Sequence, residues 1–173
     1  MRTKTIMAIF FAGFIWLSSC GGTKKMDLKP LNLQSIEIGM AQKANNGDPI
    51  PVDIVFADNN ETLKDLEGFT ASGWFAVKET NLGDWESKTM IQSLEALPGR
   101  TIQITDFPEG AAQAVGVAIF TQYGNQALNR LIFAEIDEIE LLLTPEGPKA
   151  ENGNLYLLTS PPEPAQQGQR QRY

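Results

Sequence analysis

Glu135, Asp137, Glu138 and Glu140 put four carboxylates into one short stretch of the 173-residue chain. Paired carboxylates at a suitable separation can cleave glycosides, and a cage of oxygens can hold a hard cation. On a strand, successive side chains point to opposite faces. Glu138 and Glu140 therefore share one face, Asp137 takes the other, and Ile139 points inward; the stretch reads as a solvated strand face. Asp58-Asn59-Asn60-Glu61 and Asn45-Asn46-Gly47-Asp48 also carry oxygens. Neither has the ligand spacing of a calcium loop, and both read as turn and cap chemistry. The chain has no His and one Cys. That excludes an imidazole general base, a Ser-His-Asp or Cys-His nucleophile, an internal disulfide and a Cys-rich zinc site. No Gly-rich phosphate loop and no Gly-x-Ser-x-Gly elbow occurs. This inventory speaks against an enzyme and implies no cofactor and no metal. The net charge of −7 argues against nucleic acid, whose phosphates demand a basic patch.

The single Cys stands at a telling place. Arg2 and Lys4 precede twelve uncharged residues, Ile6 to Leu17. That run is too short to span a bilayer, which needs about 20 apolar residues, and it fits the apolar region of a signal peptide. It ends in Leu17-Ser18-Ser19-Cys20-Gly21, which resembles a bacterial lipobox. The resemblance implies a diacylglycerol on the Cys20 thiol, cleavage before Cys20, and acylation (palmitate or a similar chain) of the new amine. Residues 1–19 are then a lipoprotein signal peptide and 20–30 a polar, lipidated tether. Residues 1–19 hold two bases and no acids, so the remainder carries a net charge of −9. So acidic a body is not drawn to anionic lipid.

The rest of the chain must supply the scaffold. From residue 33 the hydrophobic period is mostly two. Ile36, Ile38 and Met40 alternate with Glu37 and Gly39, and Ile50, Val52, Ile54 and Phe56 alternate with Pro51, Asp53 and Val55. Pro51 puts the start of that second strand at an edge or a sheet end. The pattern then changes. Asn60 is expected to cap a short helix over 61–67 that carries Leu63 and Leu66 and stops at Gly68. Ser72 is expected to cap a turn or two more, through Glu79. Phe69, Trp74, Phe75 and Val77 are the expected docking residues, and Trp85 is the tryptophan expected to be exposed. Strands resume over 88–97, 101–107, 113–122, 129–136, 139–144 and 154–159, which makes eight. The segment 113–122 is apolar on both faces, as a central strand would be, and Gly116 and Ala118 leave room for close packing. The expected fold is all-β, an eight-stranded antiparallel sandwich with a short helical insert, occupying residues 31–158. Residues 159–173, rich in Pro and Gln, read as a disordered tail.

The order of motifs adds a resemblance. After the lipobox come Gly47-Asp48-Pro49-Ile50-Pro51-Val52, a helical insert in which Phe69, Phe75 and Leu82 fit expected positions, Ala96-Leu97-Pro98-Gly99, and Val115-Gly116-Val117-Ala118-Ile119-Phe120. This series is similar to the TssJ (SciN/VasD) lipoproteins of type VI secretion systems. Where that family often has Arg-Asp and Trp-Arg, this chain has Thr121-Gln122-Tyr123-Gly124 and Leu128-Asn129-Arg130, so the resemblance is to a divergent member. It implies a transthyretin-like sandwich anchored in the outer membrane and facing the periplasm. Its implied partners are membrane lipid through acylated Cys20, a TssM-like inner-membrane protein, and further copies of itself in a ring. The loop after the first strand is the family's contact, which transfers here to residues 41–49, with Lys43, Asn45, Asn46, Gly47 and Asp48 as partner-binding residues. The loop is long and polar and lies between firm strands, as a recognition loop should, and is expected to contribute little to folding. The alternative is a periplasmic carbohydrate- or peptide-binding lipoprotein that uses exposed aromatics such as Trp85 and Tyr123.

Overall fold

The computed structural model describes residues 28–124 and 129–152, with Asn81 and Leu82 described in their backbone only. Among the described residues eight strands form two sheets. The strands are β1 (Ser35–Met40), β2 (Ile50–Ala57), β3 (Thr89–Ala96), β4 (Thr101–Ile104), β5 (Gly116–Thr121), β6 (Arg130–Phe133), β7 (Glu138–Thr144) and β8 (Gly147–Ala150). The first sheet has the order β4-β1-β7-β8 and the second β3-β2-β5-β6. Two helices, α1 (Asn60–Glu67) and α2 (Ala71–Glu86), are inserted between β2 and β3. The architecture is the expected β-sandwich with a helical insert.

The sandwich core lies between the sheets. Ile36, Ile38, Met40, Ile139, Leu141 and Leu143 face Ile50, Val52, Ile54, Phe56, Val117, Ile119 and Phe133 across it. Ile54 and Val117 are fully buried, and burial of such a side chain contributes about 1.5–3 kcal/mol. The outer face of the second sheet is covered as well. Val55, Ala57, Ala118, Phe120, Ile132 and Ala134 pack against Leu63, Leu66 and Trp74 of the helices. Trp74 stacks on Phe120 with ring centroids 5.0 Å apart. β2 and β5, buried on both faces, are therefore central, and the close approach expected at Gly116 is real. A Cβ there would lie 2.5 Å from Leu63 Cδ2 and 3.0 Å from the Phe133 carbonyl oxygen.

Several expectations need correction. The sandwich is not wholly antiparallel: β1 runs parallel to β7, with Ile36 beside Ile139 and Ile38 beside Leu141. Alternation marks which face is apolar but carries no information on strand direction. α1 is capped by Asn59, not Asn60; the Asn59 side chain accepts from the Thr62 N–H at 2.9 Å. α2 is capped by Thr70, not Ser72, and runs sixteen residues to Glu86. It continues past Glu79 because Trp85 returns to pack edge-on against Phe69 and Trp74, at 5.3 and 5.7 Å. Trp85 is accordingly half-buried, not exposed. The expected strand over 154–159 lies outside the described residues, as do the expected signal peptide, most of the expected tether and the expected tail. Among the described residues, a strand the sequence did not lead one to expect occupies Gly147–Ala150, where Gly147 and Pro148 resemble a turn. Among the described residues β8 is an edge strand. The Glu151 N–H donates to the Glu140 oxygen, so by alternation Pro148 turns its missing N–H to the open edge, where proline is tolerated.

The helical layer is stitched to the sheet by a buried charge. Asp53, on the outer face of β2, is 1% exposed. Its carboxylate accepts from Trp74 Nε1 at 2.8 Å and from Lys78 Nζ at 2.9 Å on each oxygen. Lys78 also donates to Ser93 Oγ on β3 at 2.8 Å. On the other side of the layer, Arg130 Nη1 donates to the carbonyls of Glu67 and Phe69 at the end of α1. Burial lowers the Arg130 pKa and raises that of Glu67, and the attraction between their charges opposes both shifts.

Candidate functional site

The topology gathers four connections at one end of the sandwich. β1 and β7 end there, with β4 and β8 starting beside them. β3 and β5 end in the other sheet at the same end, where β2 and β6 begin. The β1–β2 connection, residues 41–49, thus shares this end with the β3–β4 turn over 97–100, with Gln122, Tyr123 and Gly124 after β5, and with the β7–β8 turn.

The β1–β2 connection is a built structure. Ala44 to Gly47 form one tight turn, and Ala44 is fully buried in the sandwich core. Asn45, Asn46 and Gly47 hold φ of 46°, 59° and 87°. Asn and Gly are the residues that accept this left-handed region most readily. Asn45 is half-buried and acts as a clamp. Its Oδ1 accepts from the Gly124 N–H at 3.0 Å, and its Nδ2 donates to the Pro49 carbonyl at 3.2 Å. The Ala41 N–H donates to the Leu143 carbonyl at 2.9 Å. The expectation that this loop contributes little to folding is therefore corrected for Ala44 and Asn45. Lys43, Asn46, Gly47 and Asp48 are exposed, together with Gln42 and Pro49. Of the five residues named from the sequence, Asn45 organises the loop and the other four form its outer face.

Two neighbours escaped the sequence reading. The Gly99 N–H donates to the Met40 carbonyl at 2.8 Å, and the Met40 N–H donates to the Arg100 carbonyl at 2.9 Å. The Gln42 side chain lies across Gly99, whose φ is +68°; a Cβ there would meet Gln42 Nε2 at 3.0 Å. Leu97 and Arg100 stand exposed on this turn. The available signal was the turn itself, Leu97-Pro98-Gly99-Arg100, but nothing in its spelling tied it to residues 41–49.

Tyr123, expected as an exposed aromatic, is 6% exposed and packs in the core. Burial pushes its phenol pKa up to about 12. With Trp85 half-buried too, the aromatic platform of a carbohydrate site does not form from this pair. The hydrogen bond from Thr144 Oγ1, at 2.9 Å, holds the Glu146 carboxyl below its usual range. The carboxylates of Glu135, Asp137, Glu138 and Glu140 are all exposed, with Ile139 buried between Glu138 and Glu140. Among the described residues no group of three or more His, Cys, Asp or Glu is placed to hold a metal ion.

No protein-family model and no curated protein sequence matches the chain. Solved structures do match in fold. The T6SS lipoprotein TssJ1 from Pseudomonas aeruginosa superposes with a TM-score of 0.52 at 10% identity, over 71% of this chain and 95% of that one. Serratia marcescens Lip, a membrane-bound component of the type VI secretion system, gives 0.51 at 10% identity, over 68% and 94%. A chain of the structure of the T6SS protein TssM C-terminal domain (869-1107) from EAEC gives 0.51 at 11% identity, over 68% and 96%. The fold is that of type VI secretion lipoproteins, and at this identity the likeness is one of fold.

Proposed function

We propose that the chain is a divergent TssJ-like lipoprotein, a structural component of a type VI secretion membrane complex and not an enzyme. The observation that carries this reading is the fold. A sandwich of two four-stranded sheets with a helical excursion between β2 and β3 matches TssJ1 over nearly all of that protein's length. The sequence reading of Cys20 supports it from an independent direction, because a lipobox precedes the domain that has a lipoprotein's fold. In this reading residues 1–19 are removed and acylated Cys20 anchors the protein in the outer membrane. Residues 20–30 tether the domain in the periplasm, and 159–173 form its tail. Residues 41–49 dock a TssM-like inner-membrane protein through Lys43, Asn46, Gly47 and Asp48, held in shape by Asn45. Further copies of the chain assemble around that partner.

The test is fractionation together with co-purification from the native organism. The wild type should carry a metabolically incorporated acyl chain, mature in a globomycin-sensitive step and bring down the TssM-like protein. Cys20→Ser should lose the label and the membrane association. A wild type that takes up no acyl label refutes the anchor. A labelled wild type that never co-purifies with secretion components refutes the role.

A further inference from the structure

The loop end reaches beyond residues 41–49. The β3–β4 turn is joined to the first loop by two backbone hydrogen bonds through Met40 and by the Gln42 side chain laid over Gly99. The two segments therefore form one surface. On that turn Leu97 is 46% exposed, the exposed large hydrophobic among the described residues. A single exposed leucine needs no explanation by itself. Its setting supplies one. Lys43 and Arg100, both exposed, flank this surface and make no ion pair among the described residues; the exposed Asp48 offsets one of them, and segments 41–49 and 97–100 together keep a net positive charge. Glu146, an acid at the same end, is already bonded to Thr144 Oγ1 and to Lys149 Nζ. In a protein of net charge −9 beyond the signal peptide, an apolar side chain beside two uncommitted cations is out of keeping with the rest of the surface.

We infer that Leu97 and Arg100 belong to the docking surface with Lys43, and that the surface fits an acidic protein segment carrying an apolar side chain. The inference rests on the proposed docking role and adds to it the chemistry of the partner. Leu97 supplies apolar area at the centre, where binding energy concentrates. Arg100 and Lys43 steer carboxylates and fix their register, which makes association sensitive to salt.

The experiment uses the full acylated chain in proteoliposomes and, as probe, the purified periplasmic domain of the TssM-like protein from the same organism. Leu97→Asp and Arg100→Glu should each raise Kd about tenfold or more, as loss of a central contact or reversal of a paired charge does. Leu97→Met should stay near wild type. Gln113→Glu, exposed in the β4–β5 connection at the far end of the sandwich, should leave Kd unchanged. Added salt should weaken wild-type binding more than that of Arg100→Glu. If Leu97→Asp and Arg100→Glu bind like wild type while changes at Lys43 or Asn46 weaken binding, the inference fails and the docking role stands. If Arg100→Glu tightens binding, the acidic partner is refuted. If wild type does not bind, the docking role itself fails and the inference falls with it.

Discussion

Removing the ammonium of Lys78 should destabilise the domain more than removing it together with the carboxylate it serves. The Asp53 side chain is 2% exposed and that of Lys78 26%. Lys78→Met leaves a buried carboxylate with only the Trp74 N–H for company. Breaking one side of a buried pair costs about 3–5 kcal/mol, and the partial exposure of Lys78 brings water close enough to reduce that to about 2–3. Asp53→Leu frees Lys78 toward solvent and Ser93 but orphans Trp74 Nε1, at about 1–3 kcal/mol. Independent effects would sum to about 3–6 kcal/mol. The double variant leaves no uncompensated charge and only the indole N–H unmatched, so it should cost about 1–3. The double-mutant cycle should therefore show a coupling of about 2 kcal/mol. Urea unfolding followed by tryptophan fluorescence reads it directly, because Trp74 and Trp85 lie in the same seam. If the single losses add to within about 0.5 kcal/mol, the triad does not act as a unit and the Asp53 charge does not stitch the helical layer to the sheet.

Other perturbations test other parts of the structure. Gly116→Val forces a side chain into Leu63 and the Phe133 carbonyl; it should cost about 1–3 kcal/mol by overpacking, seen as a lower Tm. Asn45→Ala removes the clamp to Gly124 and Pro49 at a residue with φ of 46°. It should lower stability by about 1–2 kcal/mol, whereas Asn45→Gly should recover the backbone share in the same melt. Tyr123 binds its proton more tightly folded than unfolded, so its contribution is intact below pH 10. As pH rises from about 10 toward 12 the unfolded state ionises first, and stability should fall by up to about 2–3 kcal/mol. Tyr123→Phe should flatten that part of a stability–pH curve.

The strands that alternate cleanly were readable because each has one apolar face, and the face alone fixes the pattern. β5 was readable as central because Val117 and Ile119 point one way and Ala118 and Phe120 the other. Asp53 was missed although its neighbour on the same face, Val55, is as apolar as the residues of the inner face. A charge on a second apolar face implies a covering layer that supplies its partner. The length of α2 was not readable because Gly83 and Asn81 are poor helix formers; a tertiary contact, Trp85 on Phe69 and Trp74, extends it. At the loop end, the spelling Asn45-Asn46-Gly47 announced positive φ, but the burial of Ala44 and the bond from Gly124 to Asn45 join residues far apart in sequence. Leu97 and Arg100 were hidden for the same reason. Local patterns report which face of an element is dry and seldom which loops meet.

The parallel pairing of β1 with β7 also sets an order in time. Ile36 meets Ile139, 103 positions further along the chain, and its antiparallel neighbour Ile104 is 68 positions away. The first strand of the domain therefore has no backbone partner until most of the polypeptide has emerged. Closing loops of that size before any contact compensates them makes such topologies slow to fold, on the scale of milliseconds to seconds. In the proposed lipoprotein, which must be exported, that delay is useful. β2 and β3 can pair with each other early, but β1, the strand nearest the proposed anchor, cannot lock into its sheet until the later strands are available.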